Sequence, residues 1–181
     1  AGAMGALLAK ENIWYVGTQD PNLRVFDIIM HSDWGTSYNA YLVKGSEKTA
    51  LFETSKLEFF DEFLANVREV CDPASIDYIV VDHTEPDHSG SLEKLLALAP
   101  NATVLGSATA LNFLKQIVNH DFTCRAVTEK DTVDLGGMTL HFLSVPFLHW
   151  PDSMYTYIPE AKALFTCDSF GCHYADSRVF N

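Results

Sequence analysis

The stretch Ile76-Asp77-Tyr78-Ile79-Val80-Val81-Asp82-His83-Thr84-Glu85-Pro86-Asp87-His88-Ser89-Gly90 decides how the rest of the chain is read. Its first half, Ile76–Val81, is apolar at every position but Asp77 and reads as a strand buried on both faces. Its second half packs four metal-ligand residue types, His83, Glu85, Asp87 and His88, into six positions. A helix pattern follows, with Leu92, Leu95, Leu96 and Ala99 on one face and Pro100 as the stop. The ionisable cluster therefore falls at the carboxyl end of a strand, where open α/β sheets place their sites. In an extended loop His83, Glu85 and Asp87 would point one way and His88 another. So many ionisable groups at one strand end repel one another unless cations neutralise them. The plain alternative is a polar loop capping the helix, with Ser89 or Asp87 as the cap. For a single histidine or aspartate that alternative would be preferred. For His-x-Glu-x-Asp-His after a buried strand, a metal site is the better reading.

Working outward, the chain changes period twice. Ahead of the cluster, Ile13–Val16, Val25–Ile29, Tyr38–Val43 and Thr49–Glu53 read as short strands, with Lys44–Lys48 as a hairpin turn. Phe60, Phe63, Leu64 and Val67 then recur at helical spacing, with Ser55 and Glu58 placed to form a capping box. After the cluster, Thr103–Gly106 reads as a strand and Leu111, Leu114 and Val118 mark a helix. Strand and helix thus alternate through the middle, which argues for parallel strands with crossover helices. From Phe122 the pattern returns to strands: Thr123–Val127, Thr139–Val145, Tyr155–Ile158 and Ala163–Thr166, with a turn at Gly136–Gly137 between two of them. The expected fold class is a layered α/β domain with mixed sheets over residues 6–181. Ala1–Gly5 (AGAMG) read as appended residues outside it.

Bulk properties narrow the partners. The 181 residues carry a formal net charge of -12, with 48% hydrophobic and 20% charged residues. That is one globular domain's worth of chain with an acidic surface, which disfavours nucleic acid and anionic membrane as partners. No stretch is long and apolar enough to span a bilayer, and the first residues lack the regions of a signal peptide. Cys71, Cys124, Cys167 and Cys172 form no CxxC pair and read as reduced, mostly buried thiols of a cytoplasmic protein.

At this point the chain resembles a known family. His83-Thr84-Glu85-Pro86-Asp87-His88-Ser89-Gly90 is similar to the metal motif of the flavodiiron proteins, or A-type flavoproteins, of the metallo-β-lactamase superfamily. Hydrolytic members of that superfamily carry a second histidine where this chain has Glu85. Leu148-His149-Trp150-Pro151-Asp152-Ser153-Met154, Leu164-Phe165-Thr166-Cys167-Asp168-Ser169-Phe170-Gly171 and Gly35-Thr36-Ser37-Tyr38-Asn39-Ala40-Tyr41-Leu42-Val43 match it as well. The resemblance implies a metallo-β-lactamase-like αββα sandwich, incomplete at the C-terminus.

It also implies two iron ions. His83, Glu85, His149 and Asp168 match the ligands of one, Asp87 and His88 those of the second, and Asp168 the carboxylate that bridges them. Hard oxygen donors and no cysteine suit iron or manganese better than a thiolate zinc site. His31, His120, His141 and His173 match no ligand position; Pro86, Trp150 and Pro151 read as walls. The family pattern has one more histidine well beyond Asp168, whereas the sequence stops at Asn181, thirteen residues on (181 − 168). It also has a flavodoxin-like domain that binds FMN. No strand followed by a Ser/Thr/Asn/Gly phosphate loop is legible here, so FMN binding by this chain is not expected.

The activity implied is reduction of dioxygen to water, nitric oxide to nitrous oxide, or both. Electrons would come from a partner's FMN-bearing domain in a head-to-tail dimer, so a homo-oligomer is expected. Two other readings stand beside it. One is a zinc hydrolase of the same superfamily, against which Glu85 argues. The other is a non-catalytic fragment with an incomplete metal site.

Overall fold

In the computed structural model the described residues are 6–17, 40–52, 60–82, 86–144, 154–165 and 174–176; for Leu7, 86–90 and 174–176 only the backbone is described. Two sheets face each other. The first has seven strands in chain order: β1 Leu7–Lys10, β2 Ile13–Tyr15, β3 Tyr41–Lys44, β4 Thr49–Phe52, β5 Tyr78–Val80, β6 Thr103–Gly106 and β7 Cys124–Ala126. β1 to β4 are antiparallel, and β4 to β7 are parallel. The second has five antiparallel strands: β8 Thr132–Asp134, β9 Thr139–Ser144, β10 Met154–Ile158, β11 Ala163–Phe165 and β12 Tyr174–Asp176.

Three helices make the parallel crossovers: α1 Phe60–Val70, α2 Pro86–Leu98 and α3 Ala108–Ile117. Each crossover steps one strand in the same direction across the sheet. Right-handed crossovers stepping one way put all their helices on one face. That leaves the other face free for the second sheet, and the burial follows. Leu42, Leu51, Ile79 and Val104 pack toward Phe63, Leu64, Val67, Leu92, Leu95, Leu111 and Leu114 of the helices. Their alternate neighbours Val43, Ala50, Phe52, Val80 and Leu105 pack toward Leu140, Phe142, Met154, Ile158, Ala163 and Phe165 of the second sheet. Both faces of β4 to β6 are therefore dry, the physical reason that the strand residues from Tyr78 to Val81 carry no charge.

Several expectations change. Val25–Ile29 and the Ser55/Glu58 capping box lie outside the described residues. β1 was not legible as a strand, and neither was β8. The Gly136–Gly137 turn joins β8 to β9, so Cys124–Ala126 and Thr139–Ser144 belong to different sheets. The larger correction concerns the helix after the cluster. It begins at Pro86, so Asp87 and His88 stand in its first turn rather than in an extended loop, and neither Asp87 nor Ser89 is its cap. Proline at the first helical position has its φ already set and no N–H to leave unsatisfied. Cys71 and Cys124 are free but half-buried rather than fully enclosed, and burial pushes the Cys71 thiol above its usual range.

Candidate metal centre

The strands give the sandwich two different ends. β4, β5 and β6 all run toward one end, where β5 passes through Val81 and Asp82 toward α2. β9 finishes and β10 starts at that same end, because Ser144 pairs with Met154 across their ladder. The join between the sheets is direct. Met154 N–H donates to the carbonyl oxygen of Asp82 (2.8 Å). The Thr156 hydroxyl donates to Asp82 Oδ1 (3.1 Å). β11 runs to this end too, since Phe165 pairs with Thr156. Its ring stacks on Phe52 of β4, with centroids 4.3 Å apart and planes 8° from parallel. Tyr41 meets Phe165 edge-on at 5.3 Å and Tyr15 meets Tyr41 at 5.4 Å. Behind them, Asn66 of α1 donates to the carbonyls of Val16 and Gly17 (3.3 and 3.2 Å), closing the end of β2.

All six expected ligands belong to connections that this end anchors. His83 and Glu85 lie between Asp82 and Pro86, His149 between Ser144 and Met154, and Asp168 between Phe165 and Tyr174; these four residues are outside the described ones. Asp87 and His88 are placed by backbone only, in the first turn of α2. Among the described residues no group of three or more His, Cys, Asp or Glu is arranged to hold a metal. His31 and His173 also lie outside them. His120 is exposed, its ring Nδ1 3.0 Å from the Asp121 carbonyl, and His141 is half-buried on β9.

Two features of the expected donors are compatible with iron. Both flanks of the His149 connection, the entry to the His83 connection and the entry to the Asp168 connection converge on one edge. The donor chemistry is three imidazoles and three carboxylates without a thiolate, which suits a hard to borderline divalent ion.

Asp82 is the residue that a search for ligands passes over. It is 1% exposed and sits between the sheets, immediately before His83. The signal was available: a carboxylate directly after an apolar run enters the core with its strand, and a buried carboxylate requires partners.

Comparison with known proteins agrees with this layout. The family described as ODP family beta lactamase matches residues 36–180. Flavo-diiron protein FprA2 of Clostridium acetobutylicum is 49% identical over 180 residues, 98% of this chain and 45% of that protein. Type A flavoprotein fprA of Rhodobacter capsulatus is 42% identical over 183 residues, covering 99% of this chain and 42% of its own length. This chain thus spans less than half the length of these curated relatives. Among solved structures, the flavodiiron protein from Giardia intestinalis superimposes with a TM-score of 0.83 at 35% identity, over 98% of this chain and 43% of that one. Rubredoxin oxygen:oxidoreductase from Desulfovibrio gigas gives 0.77 at 36% identity, over 88% and 40%.

Proposed function

The chain belongs to the ODP family of beta lactamases, and on that premise we propose that it is the diiron domain of a flavodiiron-type oxidoreductase that reduces dioxygen, nitric oxide or both. The observation that carries the reading is the convergence of the β5, β9–β10 and β11 ends on one edge of the sandwich, each leading into a ligand-bearing connection. His83, Glu85, His149 and Asp168 would hold the first iron. Asp87 and His88 would hold the second, with Asp168 shared between them. When bound, a pair of ferrous ions supplies electrons and open coordination positions for a diatomic gas.

The chain's own part is to aim and enclose. Two donors stand on the first turn of a helix that starts at a fixed-φ proline, which restricts their spacing. The Phe52–Phe165 stack and its tyrosine neighbours fill the space between the sheets beside the site and keep water from the interlayer core. Electrons would come from an FMN-bearing flavodoxin-like domain acting across a homo-oligomer of the whole polypeptide; the names of relatives as type A and diflavin flavoproteins support a flavin as the donor. No helix among the described residues is long and apolar enough to cross a membrane, and a cytoplasmic setting suits the proposed chemistry.

The test is gas consumption by the anaerobically iron-loaded chain, reduced chemically, against the same chain loaded with zinc. Stoichiometric loss of dioxygen or nitric oxide with iron, and no ester or lactam turnover with zinc, supports the reading. Saturable hydrolysis with zinc that disappears on Asp168→Asn would replace it with the hydrolase reading.

A further inference from the structure

We propose that Asp82 and Thr156 form a positioning pair that fixes the first ligand connection against the strands carrying the later ones. The inference rests on the metal-site reading above. Asp82 directly precedes His83, and consecutive Cα atoms are held about 3.8 Å apart, so the place where Asp82 is held limits where His83 can stand. Thr156, which is fully buried, sits in the middle strand of three: it pairs with Phe142 of β9 and with Phe165 of β11. β9 leads into the connection holding His149, and β11 into the one holding Asp168. The bond from Thr156 Oγ1 to Asp82 Oδ1, with the bond from Met154 N to Asp82 O, therefore ties the entry of one ligand connection to the strand between the other two.

A buried hydrogen bond of this kind adds little stability over a matched apolar pair. Replacing both partners of a buried hydrogen bond by apolar groups of similar shape is close to neutral for stability. A hydroxyl–carboxylate bond instead fixes distance and direction, and the geometry of a metal site depends on the groups that orient its ligands.

The experiment is an anaerobic ferrous titration against a competing chelator. It uses the 181-residue chain, Thr156→Ser, Thr156→Val and the double variant Asp82→Leu/Thr156→Val, with the visible bands of cobalt(II) as a record of ligand geometry. Val133→Ala in β8, which thins the same interlayer core away from this edge, controls for destabilisation.

Thr156→Ser keeps the hydroxyl and is expected to bind as the parent does. Thr156→Val is expected to bind iron about tenfold more weakly, and the double variant more weakly still, within the roughly 10–100-fold range of lost orienting contacts. Both are expected to alter the cobalt bands. Val133→Ala should melt earlier than the parent with unchanged affinity, so that loss of stability alone does not reproduce the weaker binding. Parent-like affinity and cobalt bands in the double variant would overturn the positioning role while leaving the metal site standing. Failure of the parent chain to take up iron or cobalt would overturn both.

Discussion

The two ends of the sandwich are held together by different chemistry. At the end away from the ligand connections, the β3–β4 and β8–β9 turns interlock through main chain. Ser46 N–H donates to the Gly136 carbonyl (2.8 Å), while Glu47 and Lys48 N–H both donate to that of Leu135 (3.0 Å each). Glycines allow the approach. A Cβ on Gly45 would lie 1.9 Å from the Leu135 oxygen, and Gly136 adopts a φ of +86° with its Cβ position 2.3 Å from Ser46 Oγ. Around this lock, Lys10 Nζ donates to the Ala161 carbonyl and Thr139 N–H to Glu160 Oε2 (3.1 Å). At the ligand end a single main-chain bond, from Met154 N–H to the Asp82 carbonyl, is joined by contacts between side chains: the Phe52–Phe165 stack and the buried Asp82–Thr156 bond. Main-chain locks hold shape whatever the neighbouring side chains are. Side-chain contacts can be tuned, and they make up the larger share of the join at the end proposed to aim ligands.

The sharpest way to break this contrast is at Phe165. Truncating a buried aromatic costs about 3–5 kcal/mol, so Phe165→Ala should lower the denaturant midpoint by the largest margin of any change considered. It should also lose iron, because the exit toward Asp168 loses its anchor. A folded Phe165→Ala chain with parent-like iron affinity would show that the stack serves stability alone.

The distal counterpart is Gly45→Ala. A methyl group against the Leu135 carbonyl forces the two turns apart, and such overpacking costs about 1–3 kcal/mol. The expected result is a clear fall in melting temperature with iron affinity of the folded chain unchanged, read by melting and chelator competition on the same sample.

Much of this division was legible in the sequence, for reasons that differ by segment. Residues 78–81 announced a doubly covered strand because their side chains alternate between two apolar layers. The alternation of strand and helix after Thr49 follows from the same periodicities that make the crossovers. β8 was missed because Thr132-Val133-Asp134 buries only Val133, and a single apolar residue carries no period. The start of α2 was misjudged because ionisable residues at alternate positions suggest an extended loop. Pro86 was the contrary signal, since proline often opens a helix. The ligand types were readable from spacing and resemblance together. Asp82 could be read as a buried carboxylate, but its partner could not, because Thr156 lies seventy-four positions away and only the packing of the two sheets brings them together.

The smallest expected effect lies at Glu160, beside the distal lock. Burial pushes its pKa up, but donors from its own backbone and from Thr139, with His141 nearby, outweigh that and hold it below the ordinary value of 4.5. A carboxylate whose folded pKa is depressed contributes stability above its unfolded pKa and loses it as pH falls through the folded one. Glu160 is almost fully exposed to solvent, and such surface contributions are under about 1 kcal/mol. Glu160→Gln should therefore leave neutral-pH melting nearly unchanged and slightly flatten the loss of stability below pH 4.5. A large drop at neutral pH would mean that the distal end depends on side chains after all.

The central claim is that the side-chain-built end is an iron site held by His83, Glu85, Asp87, His88, His149 and Asp168. In the 181-residue polypeptide the proposed first site has four of these donors, and the second has Asp87, His88 and a share of Asp168. The most direct measurement is an anaerobic ferrous titration with metal analysis after desalting, run on the parent and on His83→Ala/Asp168→Ala. The account predicts uptake in two steps, the first tighter, and loss of the tight step in the double variant. No retained iron in the parent, or the same tight uptake in the double variant, would contradict it.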